Sequence, residues 1–315
     1  MSRLIRFLVL AFALSGAVTV NAQNNLVSFR KPDGLILSTG NLYFTSHDAA
    51  GATVWRTSQT SLPGQETVLY WEPGARFGDI VFAQVGGAFF GYFFASNASG
   101  LTIKRVSLSG GPATVLATIT NVDIDNSHRN LVTDGVSLFW QDDEAIRKMP
   151  IGGGAITVLD PVRPNTPTAG LALQDGRIIY ASVNDIRFVP TTGATTPPSS
   201  RTIHTVSTRV TALHAVSNGV YWGEQDGAVR RKVGSTVTTL RASGLLPTSI
   251  SNNAATAGGA QAWTRCGNQT CELQFVFLFI QISQAIGSDA LGVTMKPATR
   301  TVFWGDSAGV HRRAF

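Results

Sequence analysis

Two short stretches of this sequence gather side chains that could do chemistry. Asp123-Ile124-Asp125-Asn126-Ser127-His128-Arg129-Asn130 sets two carboxylates, an imidazole and a guanidinium within eight residues, and Ser46-His47-Asp48 offers a second imidazole beside a carboxylate. An imidazole titrates close to neutral pH and suits general-base work, while a guanidinium grips a carboxylate through two parallel hydrogen bonds. If both stretches face one cleft, His47, His128 and Arg129 form a set fitted to β-elimination on a uronic-acid polymer. The base would remove the proton beside a carboxylate that the arginine neutralises. The same residues serve equally well as solvated loop groups that cap strands, in which case the chain binds a partner and converts nothing.

Other chemistries find less to stand on. No serine sits in a Gly-x-Ser-x-Gly elbow, and no glycine-rich phosphate loop occurs. Asp123 and Asp125 alternate as calcium ligands do and Asp142-Asp143-Glu144 is acidic, yet neither stretch has the Asp-x-Asp-x-Asp-Gly order closed by a glutamate. No metal and no cofactor are therefore expected. His204 and His214 fall inside strand-like runs, where a hydrogen-bonded structural role is expected of them. Cys266 and Cys271, separated by Gly-Asn-Gln-Thr, are expected to form a disulfide that clips one hairpin; so short a loop contributes roughly 2 kcal/mol in the chain-entropy account.

The elements that must position these loops come from a repeat. Leu42-Tyr43-Phe44, Tyr92-Phe93-Phe94, Leu138-Phe139-Trp140, Ile178-Ile179-Tyr180, Val220-Tyr221-Trp222, Gln261-Ala262-Trp263 and Val302-Phe303-Trp304 recur with their last members 50, 46, 40, 42, 41 and 41 residues apart. Before each anchor runs an apolar strand ending in a glycine turn, such as Asp134-Gly135, Asp175-Gly176 or Asn218-Gly219; these pairs favour the primed turns that join antiparallel strands. After it comes a strand marked by an apolar residue and a basic one, as in Trp55-Arg56, Ile103-Lys104-Arg105, Ile146-Arg147-Lys148, Ile186-Arg187, Val229-Arg230-Arg231 and Val310-His311-Arg312. A fourth strand of Thr-Val character closes the unit. Four antiparallel strands per unit and seven units predict an all-β, seven-bladed β-propeller.

The seventh unit stops after its third strand, at Phe315, while Asn25-Leu26-Val27-Ser28-Phe29 resembles a fourth strand without an owner. The N-terminal segment is therefore expected to complete the last blade beside Val310 to Arg313, covering the sheet edge that its third strand would otherwise expose. Only blade six resists this reading, because Gln274 to Ile280 runs apolar without a turn residue. The grammar resembles the low-density-lipoprotein-receptor YWTD, NHL and TolB-like group of propellers. The likeness is clearest in Asp134-Gly135-Val136-Ser137-Leu138-Phe139-Trp140 followed by Ile146-Arg147-Lys148-Met149-Pro150, and in Asn218-Gly219-Val220-Tyr221-Trp222. It implies the fold and no particular activity. The YWTD group usually has six blades, and Gly223-Glu224 stands where Thr-Asp normally follows Tyr-Trp.

Residues 1–22 have the layout of a secretory signal: basic Arg3 and Arg6, apolar Phe7 to Leu14, and Val20-Asn21-Ala22 before Gln23. Residues 23–315 are then one propeller domain, expected to be secreted or periplasmic and monomeric, with no membrane span. Without the two arginines of residues 1–22 the net charge of +6 becomes +4, and no run of Lys/Arg exceeds three, which argues against a nucleic-acid partner. Two readings remain open: a non-catalytic binding or scaffold module for an extracytoplasmic protein or glycan, anionic glycans included, and a polysaccharide lyase or other glycan-active enzyme with its His/Arg site at the channel mouth.

Overall fold

The computed structural model describes residues 24–28, 32–38, 40–119, 131–142, 144–161, 170–182, 184–193, 201–216, 219–242, 244, 246–252, 261–267, 270–277, 280–286, 291–296, 301–306 and 308–314. These form seven four-stranded antiparallel sheets. In chain order the blades span 32–73, 76–119, 131–160, 171–205, 210–241, 246–286 and 291–314, the last completed by the strand Asn24–Ser28. The first strands form a ring, each in contact with the first strand of the next blade and that of blade 7 with that of blade 1. The closing strand pairs as expected, Asn25 opposite His311 and Val27 opposite Val310.

Every anchor lies on the second strand of its blade, between two partners, and its last two residues are buried. Side chains alternate across a strand, so neighbouring anchor residues pack into opposite inter-blade gaps. Trp140 packs with Tyr92 and Phe94 of blade 2, Tyr180 with Phe139 and Leu159 of blade 3, and Trp222 with Ile179 and Ile186 of blade 4. These terminal aromatics face the preceding blade. Blade 2 corrects the expected phase by one residue: there Phe93 packs against Phe77 and Tyr43 on the blade 1 side, while Phe94 faces blade 3. A run of three aromatics offered both phases.

The turns follow local chemistry. Asp175 and Gly176 both have positive φ, 47° and 72°, the primed hairpin turn expected of Asp-Gly. Asp134-Gly135 instead belongs to a longer turn in which Asp134 Oδ1 accepts from the Val136 and Ser137 amides, at 2.9 and 2.6 Å. In blade 6, Cys266 and Cys271 stand opposite each other on the second and third strands and form the expected disulfide, Cα to Cα 4.1 Å. Its third and fourth strands are Thr270–Phe277 and Ile280–Ile286, so the connection that the sequence left unplaced falls at residues 278–279, outside the described residues. No helix among the described residues is long and apolar enough to cross a membrane.

Candidate functional site

The hairpins between second and third strands lie on one face of the ring, and in four of the seven blades the strand register sets a basic residue opposite the anchor aromatic near the tip. Trp140 faces Arg147, Tyr180 faces Arg187, Trp222 faces Arg230 and Trp304 faces His311. Two residues beyond three of these aromatics stands an acid. Asp142 accepts from Arg147 Nε and, through Oδ1, from the Glu144 and Ala145 amides at 3.0 and 2.8 Å. Glu224 takes Arg230 Nε at 2.8 Å, the Trp222 indole at 2.8 Å and Ser207 Oγ at 3.2 Å. Asp306 meets His311 Nε2 at 2.7 Å and accepts the Ala308 amide at 2.8 Å. Blade 4 shifts the acid to Asp185, which pairs with Arg187 at 2.8 Å and Thr205 at 2.8 Å; the Arg187 hydrogen bond in particular holds its carboxyl below the ordinary range, against the opposing effect of burial. In blade 1 the pair is neutral, the Trp55 indole donating to Ser46 Oγ at 2.9 Å.

A second set of carboxylates ties blades together. Asp160, at the end of the fourth strand of blade 3, is fully buried and accepts from Arg201 of blade 4 through both oxygens, and from the Tyr180 hydroxyl at 2.6 Å. Burial first, and the Asp160 carboxylate next, raise the Tyr180 phenol above its ordinary value. Glu72 of blade 1 is met by Lys104 Nζ of blade 2 at 2.5 Å, by Asn97 at 3.3 Å and by the Tyr70 hydroxyl at 3.0 Å. Burial and Glu72 together push Tyr70 up to about 12.

The residues singled out for chemistry divide unevenly. His47 ends the second strand of blade 1 and is exposed, and Asp48 beside it accepts the Ala50 and Gly51 amides at 2.8 and 3.2 Å, which assigns it to the turn. His128 and Arg129 lie outside the described residues. The strands flanking them, Thr114–Ile119 and Leu131–Thr133, end opposite Leu101 and begin opposite Trp140, so both flanks open onto the face that carries His47. His204 and His214 lie on strands, as expected. Among the described residues no group of three His, Cys, Asp or Glu side chains is arranged to hold a metal ion.

No protein-family model matches the chain, and no curated protein matches it. Solved structures do. The WD40 β-propeller domain of Doa1 superposes with a TM-score of 0.64 at 13% identity, covering 93% of this chain and 95% of that one. The computationally designed Ika8 protein gives 0.55 at 13% identity over 93% and 100% of the two chains. One of two prolyl endopeptidases gives 0.56 at 14% identity, covering 88% of this chain and 46% of its own. At such identities the likeness is one of fold.

What the sequence reading missed is the pairing itself. The sequence shows acids at the hairpin tips and basic residues on the third strands as separate features, whereas the structure joins them. The signal was the spacing: an aromatic, an acid two residues on, and a cation five or six residues after the acid, as in Trp140, Asp142 and Arg147 or Trp222, Glu224 and Arg230. These groups hold hairpins shut. Left over on the outer strand and adjoining turn of blade 1 are Leu62, Val68 and Trp71, 68%, 50% and 52% exposed.

Proposed function

We propose that this chain is an exported propeller that binds a protein or glycan partner outside the cytoplasm without converting it. The observation that carries this reading is the pairwise use of the ionisable groups on the hairpin face. A carboxylate already accepting an arginine and two amides, as Asp142 does, has few lone pairs left for a substrate proton. An exposed tryptophan with aliphatic neighbours supplies instead the amphipathic surface that partners use. Fluorescently labelled protein on an array of anionic and neutral glycans, run beside ultraviolet absorbance assays on the same polymers, tests the reading. Binding without an absorbance rise supports it. An absorbance rise from unsaturated uronates that disappears in His128→Ala or His47→Ala overturns it in favour of the lyase, for which the shared face of His47 and the two flanking strands is the supporting geometry. Export has its own check: the mature protein should begin at Gln23, and full-length chain retained in the cytoplasm would remove that part of the proposal.

A further inference from the structure

Three blades carry an inter-blade staple that blade 4 lacks. In blades 1, 3 and 7 the residue after the cross-strand partner of the anchor aromatic is a cation: Arg56, Lys148 and Arg312. Each donates to the carbonyl of the first residue after the third strand of the following blade. Arg56 reaches Leu108 at 3.3 Å, Lys148 reaches Thr191 at 3.0 Å and Arg312 reaches Gln59. In blade 4 that position is Phe188. Its target in blade 5 is also curtailed, since Val233 pairs directly with Thr236 and only Gly234 and Ser235 form the turn.

Where the staple is missing a cleft of about 420 Å³ opens between blades 4 and 5. That is within the range of about 300–1,000 Å³ usual for small-molecule sites. Ile203 of blade 4 and Val233 of blade 5 give it apolar walls above the buried Ile179 and Val220, while Arg177 and Lys232 line it from opposite blades. The Arg177 guanidinium lies 4.7 Å from the Phe188 ring centroid, so the ring that replaces the staple also positions a cation. Neither Arg177 nor Lys232 has a carboxylate partner among the described residues, in contrast to Arg147, Arg187, Arg201 and Arg230. Gln174, which also lines the cleft, turns its amide to the Val216 carbonyl. The local field is positive: burial, then Lys232 and Arg230, push the nearby His204 imidazole below its ordinary value against the pull of Glu224.

We propose that the cleft between blades 4 and 5 is a binding site for a small organic acid, a single carboxylate carried on a compact apolar or aromatic body, with Lys232 and Arg177 pairing the carboxylate and Ile203 and Val233 covering the body. Two unpaired cations above an apolar wall select such a ligand because each half of it satisfies one half of the site. The site is independent of the partner proposed above, so either can fail without the other. Calorimetry and thermal melting with phenylacetate, phenylacetamide and acetate test it on the full propeller. Phenylacetate should bind and raise the melting temperature; the amide lacks the charge, acetate lacks the body, and neither should do so. Lys232→Gln and Arg177→Gln should each weaken phenylacetate about tenfold, the worth of one charge-assisted contact, and added salt should weaken it further. Equal binding of the amide, an affinity in both variants unchanged from the parent protein, or no binding of phenylacetate by about 10 mM overturns the proposal.

Discussion

Against blade 3, blade 4 is fastened from end to end: Arg201 and Tyr180 close on the buried Asp160 at one face, Phe139, Ile178 and Leu159 pack in the middle, and Lys148 staples the Thr191 carbonyl at the other. Against blade 5 it shares an apolar core, in which Ile179, Ile186, Val220 and Trp222 pack, but the far end opens into the cleft. One sheet of the same repeat is thus sealed on one flank and open on the other. The difference is carried by polar side chains, because the apolar packing is comparable on both. Cations engaged with acids or carbonyls build the ring, and cations left without such partners are the ones free to meet a ligand.

The largest effect should come from the sealed flank. Arg201→Met removes the cation from a carboxylate that has no access to water. Such an uncompensated buried charge costs about 3–5 kcal/mol, to be read as a lowered urea midpoint. A loss below about 1 kcal/mol would mean that apolar packing alone seals this gap, and the contrast between the flanks would fall. Tyr180→Phe should cost less, about 1–3 kcal/mol for one hydrogen bond to a buried charge, and it adds a pH signature. The folded phenol is raised above its ordinary value of 10.0, so the folded state holds its proton where the unfolded chain loses it. Its contribution is whole below pH 10 and declines as pH rises above that. Tyr70, pushed up to about 12, acts with the same sign between pH 10 and 12. The variant should therefore flatten the alkaline loss of stability without abolishing it, and an unchanged slope would show that Tyr180 is not a part of the clamp that titrates.

At the other end of the same flank, Lys148→Met keeps the aliphatic stem and loses the bond to the Thr191 carbonyl. About 1 kcal/mol is expected, measured by the same unfolding curve. If the variant is neutral, the absence of a staple from blade 4 ceases to explain the cleft.

How much of this was legible in the sequence follows from the physics of each feature. The ring was readable because an aromatic at each anchor must be buried between blades, and burial of that size imposes a period that survives changes elsewhere. The blade 2 phase slipped because Tyr92-Phe93-Phe94 satisfies the pattern in two registers. The polar contacts were less readable because their partners are a whole repeat apart, Asp160 from Arg201 by 41 residues and Lys148 from Thr191 by 43, and no local propensity reports such a pairing. The cleft depends on two departures, Phe188 in place of a cation and a two-residue turn after Val233. Either alone looks like ordinary variation, and only their juxtaposition across a gap between blades makes a cavity.

The smallest expected effect is also the one that separates the two kinds of cation. Lys232 donates no hydrogen bond to a carboxylate among the described residues, and it stands in the same positive field as Arg230 and His204. Replacing it by Gln removes repulsion as well as charge, so its cost to folding should lie within about 0.5 kcal/mol of zero, as for surface positions without a structural partner. The same change relieves one of the influences that depress His204. Because that imidazole is held below its ordinary value, its contribution to stability is present above pH 6.5 and is lost as pH falls through the lower folded value; in Lys232→Gln this acid-side loss should begin to shrink. A cost above about 1 kcal/mol, or an acid limb identical to that of the parent protein, would place Lys232 with Lys148 and Arg201 among the residues that hold the ring together, and the open flank would then have no cation to spare for a ligand.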